Sequence, residues 1–204
     1  MSSIPTSPAH QKPALRERML AARALVPREE RAAASRAIAE RLESLPAWMG
    51  ARTVALYAAM GAEVDTAELA RRALSAGKRV VWPRLATSGP AMEFAACAST
   101  DLVMGPTRAL EPPHSAPPFP IDTIDLVVVP GVAFDARGGR LGRGRGHYDA
   151  TLAQFPRATF RVGLAFESQI IAAVPSEPHD ERLDAVATEA RVLPAGDGHG
   201  PGPG

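Results

Sequence analysis

Residues 126–149 read LVVVPGVAFDARGGRLGRGRGHYD, a strand, a long loop and the start of a helix in one unbroken stretch. Leu126, Val127, Val128 and Val129 form a continuous, mostly β-branched apolar run. That is the pattern of a strand buried on both faces. Pro130 ends it. In the loop that follows, five glycines (Gly138, Gly139, Gly142, Gly144, Gly146) and three arginines (Arg140, Arg143, Arg145) crowd nine positions. A helix is expected directly after them, over residues 147–155. Strand, loop and helix in this order are the unit of an α/β protein, whose ligands bind outside the carboxyl ends of its strands.

On either side the pattern keeps alternating. Leu15, Met19, Ala22 and Val26 fall at i, i+4, i+7 and i+11, one face of a first helix. Pro27 opens a second, with Glu29 and Glu30 in the first turn where the helix dipole favours acid. Its apolar stripe is Ala34, Ile38, Leu42 and Leu45, and Pro46 is expected to stop it. Residues 53–58 (TVALYA) read as a buried strand. Asp65 and Glu68 have the spacing of a capping box before a helix over 66–76, closed by Gly77. Further strands are expected over 80–82, 92–96 and 160–166, with an edge strand over 184–188. Residues 105–122 read as a proline-rich loop. The expectation is one α/β domain over residues 12–194: an open, largely parallel sheet with helices on both faces. Residues 1–11 read as a disordered leader and 195–204 as a disordered tail.

Composition narrows the classes. The chain has 204 residues, 46% hydrophobic and 22% charged, which excludes wholesale disorder. Its 23 basic and 22 acidic residues give a net charge of +1, unlike a strongly basic nucleic-acid binder. Lys12 and Lys78 are the only lysines; the remaining basic residues are arginine, the planar donor suited to phosphate and carboxylate. Cys97 is the sole cysteine, so no internal disulfide or cysteine-based metal cluster can form. Cys97 itself reads as a small buried apolar residue. The first twenty residues lack the apolar core of a signal peptide, and no apolar run approaches the roughly 18 residues of a membrane helix. A cytoplasmic monomer without membrane or nucleic-acid partners is expected.

The loop at 138–146 suits a polyphosphate. Glycines bring backbone N–H groups close to an anion, a helix start adds unpaired donors, and arginines add charge in a two-pronged geometry. Asp149, in the first turn of the helix, can hold Mg²⁺ through oxygen. No Gly-x-x-x-x-Gly-Lys-Ser/Thr is present, and Gly142-x-Gly144-x-Gly146 is one residue short of the dinucleotide fingerprint. From the residues alone, a flexible connector and an RNA-contacting Arg-Gly run remain open. The RNA reading lacks stacking partners, since only Tyr148 is adjacent.

The same stretch resembles the signature of the 5-formyltetrahydrofolate cyclo-ligase family: Pro-Gly-x-x-Phe-Asp, then Gly-x-Arg-Leu-Gly-x-Gly-x-Gly-Tyr-Tyr-Asp. Lys12-Pro-Ala-Leu-Arg16, Glu63-Val-Asp65-Thr66, Gly77-Lys78-Arg79-Val80, Pro83-Arg84, Leu164-Ala-Phe166-Glu167 and Pro178-His-Asp180 agree in order, so the likeness spans about residues 12–193. It implies an enzyme that uses ATP with Mg²⁺ to phosphorylate the formyl oxygen of 5-formyltetrahydrofolate. N10 then closes the ring to 5,10-methenyltetrahydrofolate and expels phosphate, leaving ADP and phosphate as co-products.

Carried over residue by residue, the ATP site falls on Lys12, Arg16, Arg140, Leu141, Gly142, Arg143, Gly144, Arg145, Gly146, His147 and Tyr148. Lys12, Arg143 and Arg145 would act on the transferring phosphoryl group. Folate contacts fall on Ala58, Glu63, Arg143, Gly144, Arg145, Gly146 and His147, and the metal ligands on Asp149 and Asp180. Tyr57, Trp82 and Phe134 offer stacking area but read first as core. The chain departs from the family in two places. His147 replaces the first tyrosine of Tyr-Tyr-Asp. Thr107-Arg-Ala-Leu-Glu-Pro112 stands where the family has an aromatic and Gly/Asn-Ile-Pro before Glu/Gln-Pro. The second departure motivates an alternative, a nucleotide- and folate-binding member without cyclisation activity.

Overall fold

A computed structural model describes residues 8–195. In chain order the elements are helices α1 (Pro8–Ala24), α2 (Arg28–Glu43) and α3 (Pro46–Gly50), strand β1 (Thr53–Ala55), helix α4 (Ala67–Ser75), strands β2 (Arg79–Leu85), β3 (Met92–Ala95), β4 (Val103–Met104), β5 (Leu110–Glu111), β6 (Pro118–Phe119), β7 (Leu126–Val129), β8 (Ala133–Phe134) and β9 (Arg140–Leu141), helix α5 (His147–Leu152), and strands β10 (Phe160–Leu164), β11 (Ala185–Ala187) and β12 (Val192–Pro194). Eight strands form one sheet in the order β12-β11-β10-β7-β1-β2-β3-β6. The five at its centre, β11 to β2, are parallel, and the outer pairings are antiparallel.

The valine-rich strand β7 is central, buried at all four positions as its composition predicts. Leu126 and Val128 face α2 and α4, packing with Ile38, Leu42, Leu69 and Ala73. Val127 and Val129 face the other way, toward Leu152 of α5, Phe155 and Phe94. Alternation along one strand therefore feeds two apolar layers, each buried valine worth about 1.5–3 kcal/mol. An α/β sheet covered on both faces follows directly.

Several local expectations are corrected. Helix α1 starts at Pro8, so residues 8–11 are helical rather than leader; residues 1–7, and 196–204 of the expected tail, lie outside the described residues. The buried side chains of α1 include Met19 and Arg23, while Ala22 is exposed, because Arg23 Nη1 donates to the Gly131 carbonyl at 3.0 Å. Pro46 does not merely stop α2: it takes the first turn of α3. The Asp65–Glu68 capping box does not form. Asp65 Oδ1 accepts the Ala67 N–H, but Glu68 turns to Arg71 and Arg72 instead of reaching back. The strand expected over 53–58 ends at Ala55 and the helix expected over 147–155 at Leu152. The proline-rich loop carries two short strands, β5 and β6, and β11 is interior because β12 covers it. Cys97 is half-buried, packed against the larger core.

Loop anchoring depends on a few buried polar groups. Arg84, 4% exposed, donates to the carbonyls of Pro113 and Ala116 at 2.9 and 2.7 Å, pinning the proline-rich segment to β2. Asp135, 2% exposed, closes the turn of the β8–β9 hairpin. Its Oδ1 accepts the N–H groups of Arg137 and Gly139 at 2.9 and 3.0 Å, and its Oδ2 accepts that of Val174 at 2.8 Å. Gly138 sits in this turn at φ +75°, and an added Cβ would lie 2.2 Å from the Leu183 carbonyl oxygen, so only glycine fits. Asp135→Ala leaves three N–H donors without their acceptor, that of Val174 buried and those of Arg137 and Gly139 part-buried, and is expected to cost about 3 kcal/mol of unfolding free energy. Equilibrium urea denaturation measures it; a loss within error of zero would remove Asp135 as the anchor.

Candidate active site

The chain enters β1, steps to β2 on one side, and later returns to place β7 on the other. The switch between these directions opens a crevice outside the carboxyl ends of β1 and β7. Pairing widens it. The β1–β2 register ends at Ala55 and Val81, while β2 runs on to Leu85. Pro83 lies in this overhang and has no N–H to leave unpaired. The resulting cleft has a volume of about 530 Å³.

The residues that the family resemblance assigns to the site line this cleft: Lys12 and Arg16 of α1, Ala58 and Glu63 beyond β1, Arg140 through Asp149, and Asp180; Gly138 and Gly139 do not, lying instead in the β8–β9 turn. Lys12 and Arg16, one helical turn apart, both line the cleft but reach different segments, Lys12 the acids at 177–180 and Arg16 the glycine-rich loop. Arg16 Nε donates to the Gly142 carbonyl at 2.8 Å. Gly144, at φ +94°, lets the backbone lie against that guanidinium: a Cβ there would come within 3.1 Å of Arg16 Cζ. Gly146, left-handed at φ 71°, turns the chain into α5.

Most charges in the cleft are paired. Lys12 Nζ bridges Glu177 Oε2 and Asp180 Oδ2, each at 2.7 Å. Burial opposes both of these charges, yet the shared hydrogen bonds outweigh it, holding the Lys12 ammonium above its ordinary pKa and the Asp180 carboxyl below. Arg143 Nη2 meets Glu63 Oε1 at 2.8 Å, and Arg140 Nη2 meets Asp149 Oδ1 at 2.8 Å. Arg140 is almost wholly buried, its guanidinium 5.5 Å from the Tyr148 ring centroid, and its Nε has no hydrogen-bond partner among the described residues. Arg145 is exposed and forms no ion pair among the described residues.

Other expected residues divide by burial. The Tyr57 hydroxyl donates to the Val64 carbonyl at 2.9 Å, and burial pushes the hydroxyls of Tyr57 and Tyr148 above their ordinary pKa, so both stay protonated. Trp82 and Phe134 are core, whereas Tyr57 is both core and cleft wall. His147 is fixed by its neighbour, its Nδ1–H donating to the Pro90 carbonyl at 2.7 Å.

Two acids were missed by sequence reasoning. Glu177 joins His179 and Asp180 in a group whose ligand atoms lie within 4.8 Å of one another, and Asp149 is not part of it. Its signal was its place one residue ahead of Pro178-His-Asp180. Glu111, 5% exposed, enters the cleft wall from β5, with Oε2 3.3 Å from the Leu85 N–H. Thr107, Ala109 and Leu110 line the cleft beside it, so the segment that departs from the family pattern borders the site.

Residues 8–189 match the sequence profile of the 5-formyltetrahydrofolate cyclo-ligase family. The 5-formyltetrahydrofolate cyclo-ligase of Escherichia coli K12 is 34% identical over 174 residues, covering 83% of this chain and 95% of that one. The enzyme of the same name from Mycolicibacterium smegmatis is 30% identical over 192 residues, covering 90% and 96%. Among solved structures, the solution structure of Aquifex aeolicus 5,10-methenyltetrahydrofolate synthetase superposes with a TM-score of 0.80 at 30% identity, covering 94% of this chain and 96% of that one. A synthetase from Mycoplasma pneumoniae shares the fold, with a TM-score of 0.72 at 24% identity and 87% and 98% coverage. No helix among the described residues is long and apolar enough to cross a membrane. The chain thus belongs to the 5-formyltetrahydrofolate cyclo-ligase family, a family of ligases.

Proposed function

We propose that this protein converts 5-formyltetrahydrofolate to 5,10-methenyltetrahydrofolate at the expense of ATP, as a monomer acting on small molecules in the cytoplasm. One observation carries the proposal: five cationic side chains, Lys12, Arg16, Arg140, Arg143 and Arg145, converge on one cleft at the topological switch point of the sheet. Those cationic donors beside a glycine-permitted backbone suit a triphosphate.

Phosphoryl transfer asks a protein mainly for positioning and charge stabilisation. Arg143 and Arg145 hold the terminal phosphate, with Lys12 reaching it from α1. The formyl oxygen attacks phosphorus, the bond to the ADP oxygen breaks, and the formyl carbon gains a phosphate leaving group. The lone pair of N10 then attacks that carbon. The carbon–oxygen bond breaks, phosphate departs, and the N10 proton is lost to solvent. Glu63, together with the Ala58 backbone, is the contact assigned to the folate ring.

The residues present fit a divalent cation. Glu177 and Asp180 already hold a cation, the Lys12 ammonium, between two carboxylate oxygens, and an all-oxygen donor set suits Mg²⁺. Asp180, with Asp149, is the pair assigned to the ion, and Glu177 lies within reach. Bound there, Mg²⁺ would neutralise phosphate charge.

Mixing the protein with MgATP and 5-formyltetrahydrofolate and following methenyl absorbance tests the activity; nucleotide binding without product would favour the binding-only alternative. Arg145→Ala is expected to lower kcat/KM for ATP by about 10–100-fold at unchanged melting temperature, since a side chain with no ion pair among the described residues acts mainly on the ligand. Steady-state kinetics with unchanged constants would take Arg145 out of the phosphate site. Asp149→Asn is expected to raise the Mg²⁺ concentration for half-maximal rate by about tenfold. An unaltered titration would remove Asp149 from the metal site.

A further inference from the structure

Glu63 and Arg143 form an uneven pair. The Glu63 side chain is 7% exposed and the Arg143 side chain 46%, so the arginine lies over the acid from the solvent side. Both carboxylate oxygens are engaged. Oε1 accepts from Arg143 Nε and Nη2 at 3.1 and 2.8 Å, and Oε2 accepts the Met60 N–H at 2.9 Å. A 2-amino-4-oxopyrimidine edge offers adjacent N–H donors, and a carboxylate that pairs with it needs its oxygens turned to the ligand. As it stands, Glu63 is spent on its own chain.

Arg143 has a competing partner. A phosphate group accepts the same two-pronged donation with greater charge. The cation of this pair is half exposed and solvent screens it on that side, so a triphosphate on the neighbouring glycine loop can draw the guanidinium away. Resting on the ATP and folate assignments above, we propose that Arg143 is a positioning residue for the folate as well as a phosphate ligand. It closes Glu63 while the nucleotide site is empty and opens it when nucleotide binds. Folate and nucleotide therefore favour each other, and by linkage each tightens the other by the same factor.

Calorimetric titration of 5-formyltetrahydrofolate into the whole protein, with and without Mg²⁺ and the non-hydrolysable β,γ-imido analogue of ATP, tests this. Wild type is expected to bind folate about tenfold more tightly with the analogue than without it. Arg143→Met is expected to bind folate alone as tightly as the wild-type nucleotide complex does, the analogue changing this by no more than about twofold. Adding Glu63→Gln to Arg143→Met is expected to weaken folate binding again, by about tenfold, because the uncovered carboxylate is the group being read. A merely structural Arg143 would lower the melting temperature and weaken folate binding. Should Arg143→Met fail to fold, Arg143→Lys, which keeps the charge without the two-pronged hold, is expected to show reduced coupling.

Equal folate affinity in wild type with and without the analogue would overturn the proposal, as would undiminished coupling in the Arg143 variants. Absence of folate binding in every form and condition is a different result: it would remove the folate assignment itself, and this proposal with it.

Discussion

Three backbone N–H groups, from Arg137, Gly139 and Val174, converge on the buried carboxylate of Asp135. Through the first two, Asp135 shapes the turn that delivers Arg140 and the glycine-rich loop. Through the third it ties that hairpin to the segment leading into Glu177 and Asp180. One side chain therefore brings the loop rich in arginine beside an acidic cluster contributed from far along the chain. A buried charge of this kind is tolerated only because its hydrogen bonds are made. Those bonds are the frame on which the cleft is built.

Within that frame the cleft balances its own charge. Lys12 sits between Glu177 and Asp180, Arg143 on Glu63, and Arg140 on Asp149. The Lys12 and Arg143 pairs join distant segments and the Arg140 pair ties β9 to the start of α5, so the site is cross-braced instead of splayed by repulsion among its cations. The pairs differ in depth. Arg140 is locked by burial and by Tyr148, while Arg143 is half in solvent. Rigid and movable cations thus stand side by side, and an enzyme needs both: one to shape the site, one to respond to its ligand.

Much of this was legible in the sequence because it rests on short-range patterns. The valine-rich strand, the alternation of helix and strand, and the glycine–arginine loop all state their structure locally, whereas Lys12, Arg16, Ala58, Glu63 and Asp180, which also line the cleft, were assigned only through the family resemblance. What failed depended on distant partners. Arg23 replaces Ala22 at the buried face of α1, where its guanidinium reaches the distant Gly131 carbonyl. The capping box at Asp65 gives way because Arg71 and Arg72 claim Glu68. Strands β5 and β6, two residues each, are too short to show a period, and Glu111 reaches the cleft only because Arg84 pins the proline-rich segment. Glu177 gains meaning only through Lys12, a residue 165 positions away.

The proposed reaction centres on the transfer of a phosphoryl group from ATP to the formyl oxygen, which then leaves with phosphorus. Substrate carrying ¹⁸O in the formyl group follows that atom without altering the protein. After turnover with unlabelled ATP, the label is expected in inorganic phosphate, one atom for each methenyl product formed. Label released into water, with unlabelled phosphate, would contradict it.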